Sequence, residues 1–477
     1  MDVCPVIYLV MTMMGGYMAE LVIYPAPPTM ESSDKYEVLV GLGDPLLGTF
    51  TYKTTSNHRH IENHYVHPNR SVSWSSFAFS RGPVIVEVRT QKDFSQCLVR
   101  PVSYGYACSR VGNKTARFTV TRNSTMMSVE FDNDYGSWKS DIVDKLLIFA
   151  EPLERDVPSK SDPSVMFFDV GVHYLDGQVR LNSSIKEVYI SAGAFVDGGF
   201  ITTDNTKVKF HGRGICSGRK YKFHDKRFQW SLINTAQGTN HTIEGITLSD
   251  PQQFFIFAQS PNNIIKQVKM VGAWPYNTDG IEMGVGGLVE DVFIMANDDS
   301  LKVYNNDMTI QRVVIWQMQN GAVFQTGWWT ERDLHRVSIS NIDVIHTDWC
   351  TFHDRDCGML SRNNAVFDLA GNVKVINMNN VVFQNIRLEG FCPRFVFWTM
   401  PAGINGTSSN VRFIDVSVGS QPSSGQLMNE ISGYKPNGYV SDWLFANLSV
   451  SGRCIATPNA GRFVIDNSTT SNIKFSC

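Results

Sequence analysis

Charge is scarce in this chain. Asp, Glu, Lys and Arg make up 18% of its 477 residues, and 42 basic against 45 acidic side chains leave a formal charge of −3. Without a basic excess there is no electrostatic footprint for a nucleic-acid backbone, and no nucleic-acid partner is expected. Long apolar runs are also lacking. The one sustained run, Val6 to Met14, is too short to span a bilayer comfortably, so no membrane association is expected. No Cys-x-x-Cys pair occurs, and neither a metal nor a cofactor is expected. A helical 3.6-residue pattern is missing from the repeating half of the chain. What is present is 37 Gly, 19 Pro and 12% aromatic residues, the profile of a folded, turn-rich, all-β protein.

The apolar stretch at the start is followed by Gly15, Gly16 and Ala19, and residues 1–19 read as a secretory signal peptide, although Asp2 stands where a Lys or Arg is usual. Asn69, Asn113, Asn123, Asn182, Asn240, Asn405, Asn447 and Asn467 each open an Asn-x-Ser/Thr sequon, which suits a secreted glycoprotein. Without Cys4 the cysteines number eight, an even count consistent with disulfides in an extracellular compartment. Cys97 to Cys108 and Cys350 to Cys357 are short loops to close; the pairing as a whole is not legible.

Residues 20–160 alternate short β-rich runs with turns, as in Tyr36 to Val40, Val84 to Val88 and Leu146 to Ala150, and read as an antiparallel β-sandwich. Glu154 to Pro163 is the expected linker. Over residues 161–477 one phrase recurs: apolar, two variable, apolar, one variable, apolar. It begins at Ile243, Ile265, Val289, Ile310, Ile339, Phe383, Phe413 and Phe445, with steps of 22, 24, 21, 29, 44, 30 and 32 residues. Such a period predicts a right-handed parallel β-helix, each coil burying its inward side chains against the next. The long step implies an inserted loop or an extra coil with a degenerate phrase.

Asn277-Thr278-Asp279-Gly280 and Asn297-Asp298-Asp299-Ser300 place Asp279 and Asp298 nineteen residues apart, close to one coil. Adjacent rungs lie about 4.8 Å apart, so both carboxylates can face one surface. Asp298 and Asp299 reach the same groove only at a bend, because strand neighbours point to opposite faces. Such crowding keeps one acid protonated, the state needed to donate to a leaving oxygen while another carboxylate activates water. Turn capping by Asp is the plainer alternative. Trp274, Tyr276, Tyr304 and Trp328 are candidate sugar-stacking rings, with burial in the core as their alternative. Of the adjacent Trp328 and Trp329, at least one is expected to be exposed. Lys302 is expected to meet a sugar hydroxyl or tune Asp299, and Asp250, Gln253 and Gln325 are candidate subsite contacts.

Val313 to Trp316, Gln325 to Trp328, Thr330 to Asp333 and Asp343 to Thr347 resemble glycoside hydrolase family 49, the dextranases and isopullulanases. The Thr278-Asp279-Gly280 and Asn297-Asp298-Asp299 pair, Gly171 to Tyr174 and Ile190 to Ala194 are similar as well. The resemblance implies a secreted, inverting, endo-acting hydrolase of α-glucans without a metal. It makes Asp298 the general acid and lets Asp279 and Asp299 hold water, the base being either. Polygalacturonases share the fold but add Gly-His-Gly and Arg-x-Lys. Here Gln319-Asn320-Gly321 stands at the former and no Arg-x-Lys follows, so a neutral polysaccharide, bound by a monomer, is expected. Two alternatives are another, even sulfated, polysaccharide gripped by Arg332 and Arg336, and a non-catalytic carbohydrate-binding solenoid.

Overall fold

The computed structural model describes residues 8–14, 17–27, 29–56, 69–132, 142–204, 206–328, 333–349, 364–369, 377–422 and 427–477. Two sheets form the N-terminal unit. One contains, in spatial order, Tyr8–Met14, Tyr17–Ile23, Ser71–Phe79, Lys145–Glu151, Thr125–Phe131 and Cys97–Arg100, with Thr51–Thr55 also on Ser71–Phe79. The other runs Leu47–Thr49, Tyr36–Gly41, Val84–Thr90, Thr115–Val120 and Ser109–Gly112. Pairing is antiparallel except between Ser71–Phe79 and Lys145–Glu151, which run parallel.

Every residue of Lys145–Glu151 is buried, because this strand has two apolar neighbours. Leu146, Ile148 and Ala150 pack into the sandwich, while Leu147 and Phe149 join the core of the following unit. Phe149 meets Phe293 of that unit with ring centroids 5.4 Å apart. The sandwich is thus docked through an apolar sheet face and is not a separate bead on a linker.

From Val165–Phe168 to Lys474–Ser476 the chain forms one continuous sheet wound as a β-helix, parallel except where Leu444–Val450 meets Arg453–Cys454. The phrase starts stack in register: Ile243 on Ile265, Val289, Ile310, Ile339, Phe383, Phe413 and Phe445 in turn. The two-residue gap in each phrase has a backbone cause. Gly245, Gln267, Asp291, Arg312, Asn341, Asn385, Asp415 and Asn447, each two residues past a phrase start, all have positive φ. A left-handed residue bends the strand and shifts the alternation by one, and Asn, Asp and Gly tolerate that conformation best. Leu334–Thr347 pairs directly with Met378–Phe391, so the 44-residue step holds an insertion within one coil and not an extra coil.

Cys97–Cys108 and Cys454–Cys477 are disulfides. Cys216 and Cys392 are buried free thiols, so the even cysteine count does not reflect complete pairing. Cys350 and Cys357 lie outside the described residues.

Candidate active site

The acids occupy turns between two faces of the β-helix. Asp279 ends the turn from Lys269–Val271 to Ile281–Met283, and Asp298 and Asp299 lie in the turn from Leu288–Ala296 to Leu301–Lys302. These turns stack on each other: Gly280 N–H donates to the Asp299 carbonyl at 2.9 Å and Asn297 N–H to the Thr278 carbonyl at 3.2 Å. Leaving the strand geometry lets the two neighbouring aspartates share a side. One carboxylate oxygen from each of the three acids lies within 4.8 Å of the others.

Gly321 supports the turn from the next coil. Its φ is 80°, and a Cβ there would stand 2.2 Å from the Asp298 carbonyl carbon, so only glycine fits. Asn297 Oδ1 accepts the N–H groups of Gln319 and Asn320 at 3.0 and 3.3 Å. Gln317 Nε2 donates to the carbonyls of Asp298 and Asn320 at 2.9 and 2.6 Å. These two amides fix the backbone carrying the acids; Gln317 was not singled out by sequence reasoning, and its one-coil offset from Asp298 was the available signal.

The three acids have different surroundings. Lys302 Nζ lies 2.7 Å from Asp279 Oδ2 and 2.9 Å from Asp299 Oδ2, while Ala322 N–H donates to Asp299 Oδ1 at 3.0 Å. Among the described residues, Asp298 has no cation in hydrogen-bond contact. It accepts from Asn277 N–H at 2.9 Å, Asn320 Nδ2 at 2.5 Å and Asp299 N–H at 2.9 Å. Burial, and then the neighbouring Asp299 charge, push its carboxyl up to about 7. Burial also raises Asp279, against the pull of Lys302. Burial opposes the charge on Lys302, but Asp279 and Asp299 outweigh it and hold the ammonium well above its usual range. Three carboxylates this close would suit a divalent cation by count. Here Lys302 already engages two of them, so the cluster contains its own cation.

The nearest-oxygen separations are shorter than the about 6.5–9.5 Å usual between the carboxylates of an inverting pair, so spacing alone does not select inversion. Asp298 is the most accessible acid at 6% exposure, against 1% for Asp279 and Asp299.

The predicted contacts divide. Tyr276 is half-buried, packs edge-on against Phe223 with centroids 5.5 Å apart, and lies near the Asp298 charge. Tyr304 is buried and donates to Gln325 Oε1 at 2.6 Å; the half-buried Trp328 donates its N–H to the Tyr304 hydroxyl at 3.3 Å. Gln325 is fully buried with Nε2 unpartnered. On the next rung, in register with it, stands Asp368, whose two carboxyl oxygens are also unpartnered. Burial and then the Asp299 charge raise the Asp368 carboxyl well above the usual range, against the pull of Arg394.

Trp274 corrects the sequence reading. It is fully buried and presents no ring face to a ligand; its Nε1 donates to Asp250 Oδ1 at 3.1 Å, and Thr54 of the sandwich donates to the same oxygen. Trp274 and Asp250 therefore clamp the two units together. Arg336 is exposed and paired with Asp307 at 2.6 Å, away from the acids' turns, while Arg332 and Trp329 lie outside the described residues.

Residues 29–167 match the glycosyl hydrolase family 49 N-terminal Ig-like domain. A dextranase from Arthrobacter sp. (strain CB-8) is 26% identical over 404 residues, covering 67% of this chain and 62% of that protein. An isopullulanase from Aspergillus niger is 29% identical over 383 residues, covering 68% of this chain and 67% of that protein. The matched N-terminal domain and these relatives support glycoside hydrolase family 49 for this chain. The alignment thus spans less than two thirds of the length of the Arthrobacter relative. Dex49A from Penicillium minioluteum superposes with a TM-score of 0.77 at 20% identity, over 95% of this chain and 96% of that one, so this chain shares its sandwich and β-helix fold.

Proposed function

We propose that this chain is a glycoside hydrolase of family 49, a secreted, inverting endo-hydrolase of α-glucans, dextranase-like or isopullulanase-like. The observation that carries this reading is the unequal treatment of three converging acids, two held by Lys302 and one not. Asp298, with its carboxyl near 7, donates the proton to the leaving glycosidic oxygen. While Asp298 holds that proton the cluster carries one negative charge fewer, and the ammonium of Lys302 stands against both Asp279 and Asp299. Those two hold the attacking water, and the Oδ1 of Asp279 has no hydrogen-bond partner of its own. Water adds to the anomeric carbon as the bond to the leaving oxygen breaks; one proton goes to the base and one comes from Asp298. Inversion is the part of this reading that the resemblance to the family carries, with water and not a carboxylate attacking the anomeric carbon.

Secretion rests on the apolar start and on the sequons, whose asparagines are exposed except for the half-buried Asn123. Removing residues 1–19 would take away the edge strand Tyr8–Met14 but keep Leu21, Val22 and Ile23 paired with Phe79, Ala78 and Phe77. Digestion of dextran and pullulan, with product sizing and proton NMR of the anomer first released, tests the reading. Short products of inverted configuration are expected from wild type and none from Asp298→Asn; undiminished turnover by that variant would defeat the assignment.

A further inference from the structure

Trp230 is the one tryptophan among the described residues with more than half its surface accessible, at 53%. Its backbone is left-handed, φ 65°, a conformation that a bulky residue keeps only where its surroundings impose it. The surroundings do so here: the Trp230 carbonyl accepts Phe254 N–H at 2.8 Å, and Ser231 N–H bonds back to the Gln229 carbonyl at 2.8 Å. Folding alone selects against both features, the strained backbone and the large ring left in water.

The ring is seated on other aromatics. It lies nearly parallel to Phe257, centroids 6.3 Å apart at 23°, and 6.1 Å from Phe254 at 44°. Phe257 stands in the same outward column of the β-helix as Glu282 and Lys302, rung upon rung. The Phe254 ring lies 5.0 Å from Lys302 Nζ, the ammonium that holds Asp279 and Asp299. An aromatic shelf therefore runs without interruption from exposed Trp230 to the acids.

We propose that Trp230, seated on Phe254 and Phe257, is the platform of a distal subsite that stacks one sugar ring of the bound glucan, gripping the chain away from the bond that is cut. The proposal rests on the α-glucan reading above. A pyranose offers an apolar C–H face and no charge, the surface that a flat, uncharged indole accepts. Such a subsite lies beyond the sugars flanking the scissile bond, so it adds affinity for long chains and none for short ones.

The test uses the full chain carrying Asp298→Asn, so that ligands stay intact, and linear fragments of increasing length from whichever polymer, dextran or pullulan, the wild-type enzyme digests. Calorimetric titration should show that adding Trp230→Ala weakens the long fragments by about tenfold, the equivalent of one aromatic stacking contact, and leaves the disaccharide unaffected. Trp230→Phe should restore part of the loss. Unchanged affinity for long fragments overturns the subsite alone, as does an equal loss for short and long ones, which would mark a structural role. Wild-type enzyme that digests neither polymer overturns the α-glucan reading and the shelf's ligand with it.

Discussion

The inward and outward sides of the β-helix follow opposite rules. Phe383, Phe413, Phe445 and Phe475 stack like upon like, neighbouring centroids 4.6 to 4.9 Å apart at 5° to 14°. Inside the solenoid, repetition is stabilising, because each rung renews the same apolar contact. At the turns, Asp279 and the Asp298–Asp299 pair also stack like upon like, and there repetition is costly, because buried like charges repel. Lys302 offsets two of the three charges and leaves Asp298 to keep a proton. A scaffold stabilised along its whole length can hold one unfavourable turn in place.

Removing the cation should have the largest effect. Lys302→Met leaves two buried carboxylates without their partner, a change that typically costs about 3–5 kcal/mol. It should also cut turnover by about 10²–10⁴-fold, because the base loses the ammonium that holds it in place. Thermal melting and dextran turnover measured together check both. Breaking the inward stack instead should affect stability alone: Phe413→Ala is expected to cost about 3–5 kcal/mol while the folded fraction keeps its turnover at room temperature. Equal loss of turnover per folded molecule in the two variants would erase the distinction between the two sides.

Gly321→Ala perturbs the turn more gently. It introduces strain of about 1 kcal/mol or more at a positive φ and pushes a Cβ into the Asp298–Asp299 peptide. Its kcat/KM should fall further than its melting temperature suggests. The smallest effect is in pH. Because burial raises the folded-state carboxyl of Asp298 to about 7, its contribution to stability is fully present below its unfolded value and is lost as pH rises through 7. Asp298→Asn removes that loss. The variant should melt with wild type at pH 4 and above it at pH 8, and kcat/KM of wild type should decline on the alkaline side near 7 as the acid ionises.

The inward side was legible in the sequence because every coil must bury its apolar side chains at the same places, so the phrases from Ile243 to Phe445 declared the register themselves. The acids were legible for a related reason, since a one-coil spacing brings turn residues together. The rings were not. Trp274 and Trp230 are the same residue type in the same solenoid, yet docking of the sandwich buries the first beneath Thr54, and a left-handed backbone turns the second outward. Neither cause leaves a local pattern in the chain. The pairing of Asp279 and Asp299 through one ammonium was half legible: Lys302 stood out near Asp299, but its reach to Asp279 depends on the stacked turn.

The proton on Asp298 is the point on which the mechanism turns, and leaving-group dependence tests it most directly. Aryl glycosides of the same sugars, with an acidic phenol as leaving group, need little protonation to depart. Asp298→Asn should lose about 10²–10⁴-fold on dextran or pullulan and far less on the aryl glycoside. An equal loss on both would contradict the assignment of Asp298 as the acid.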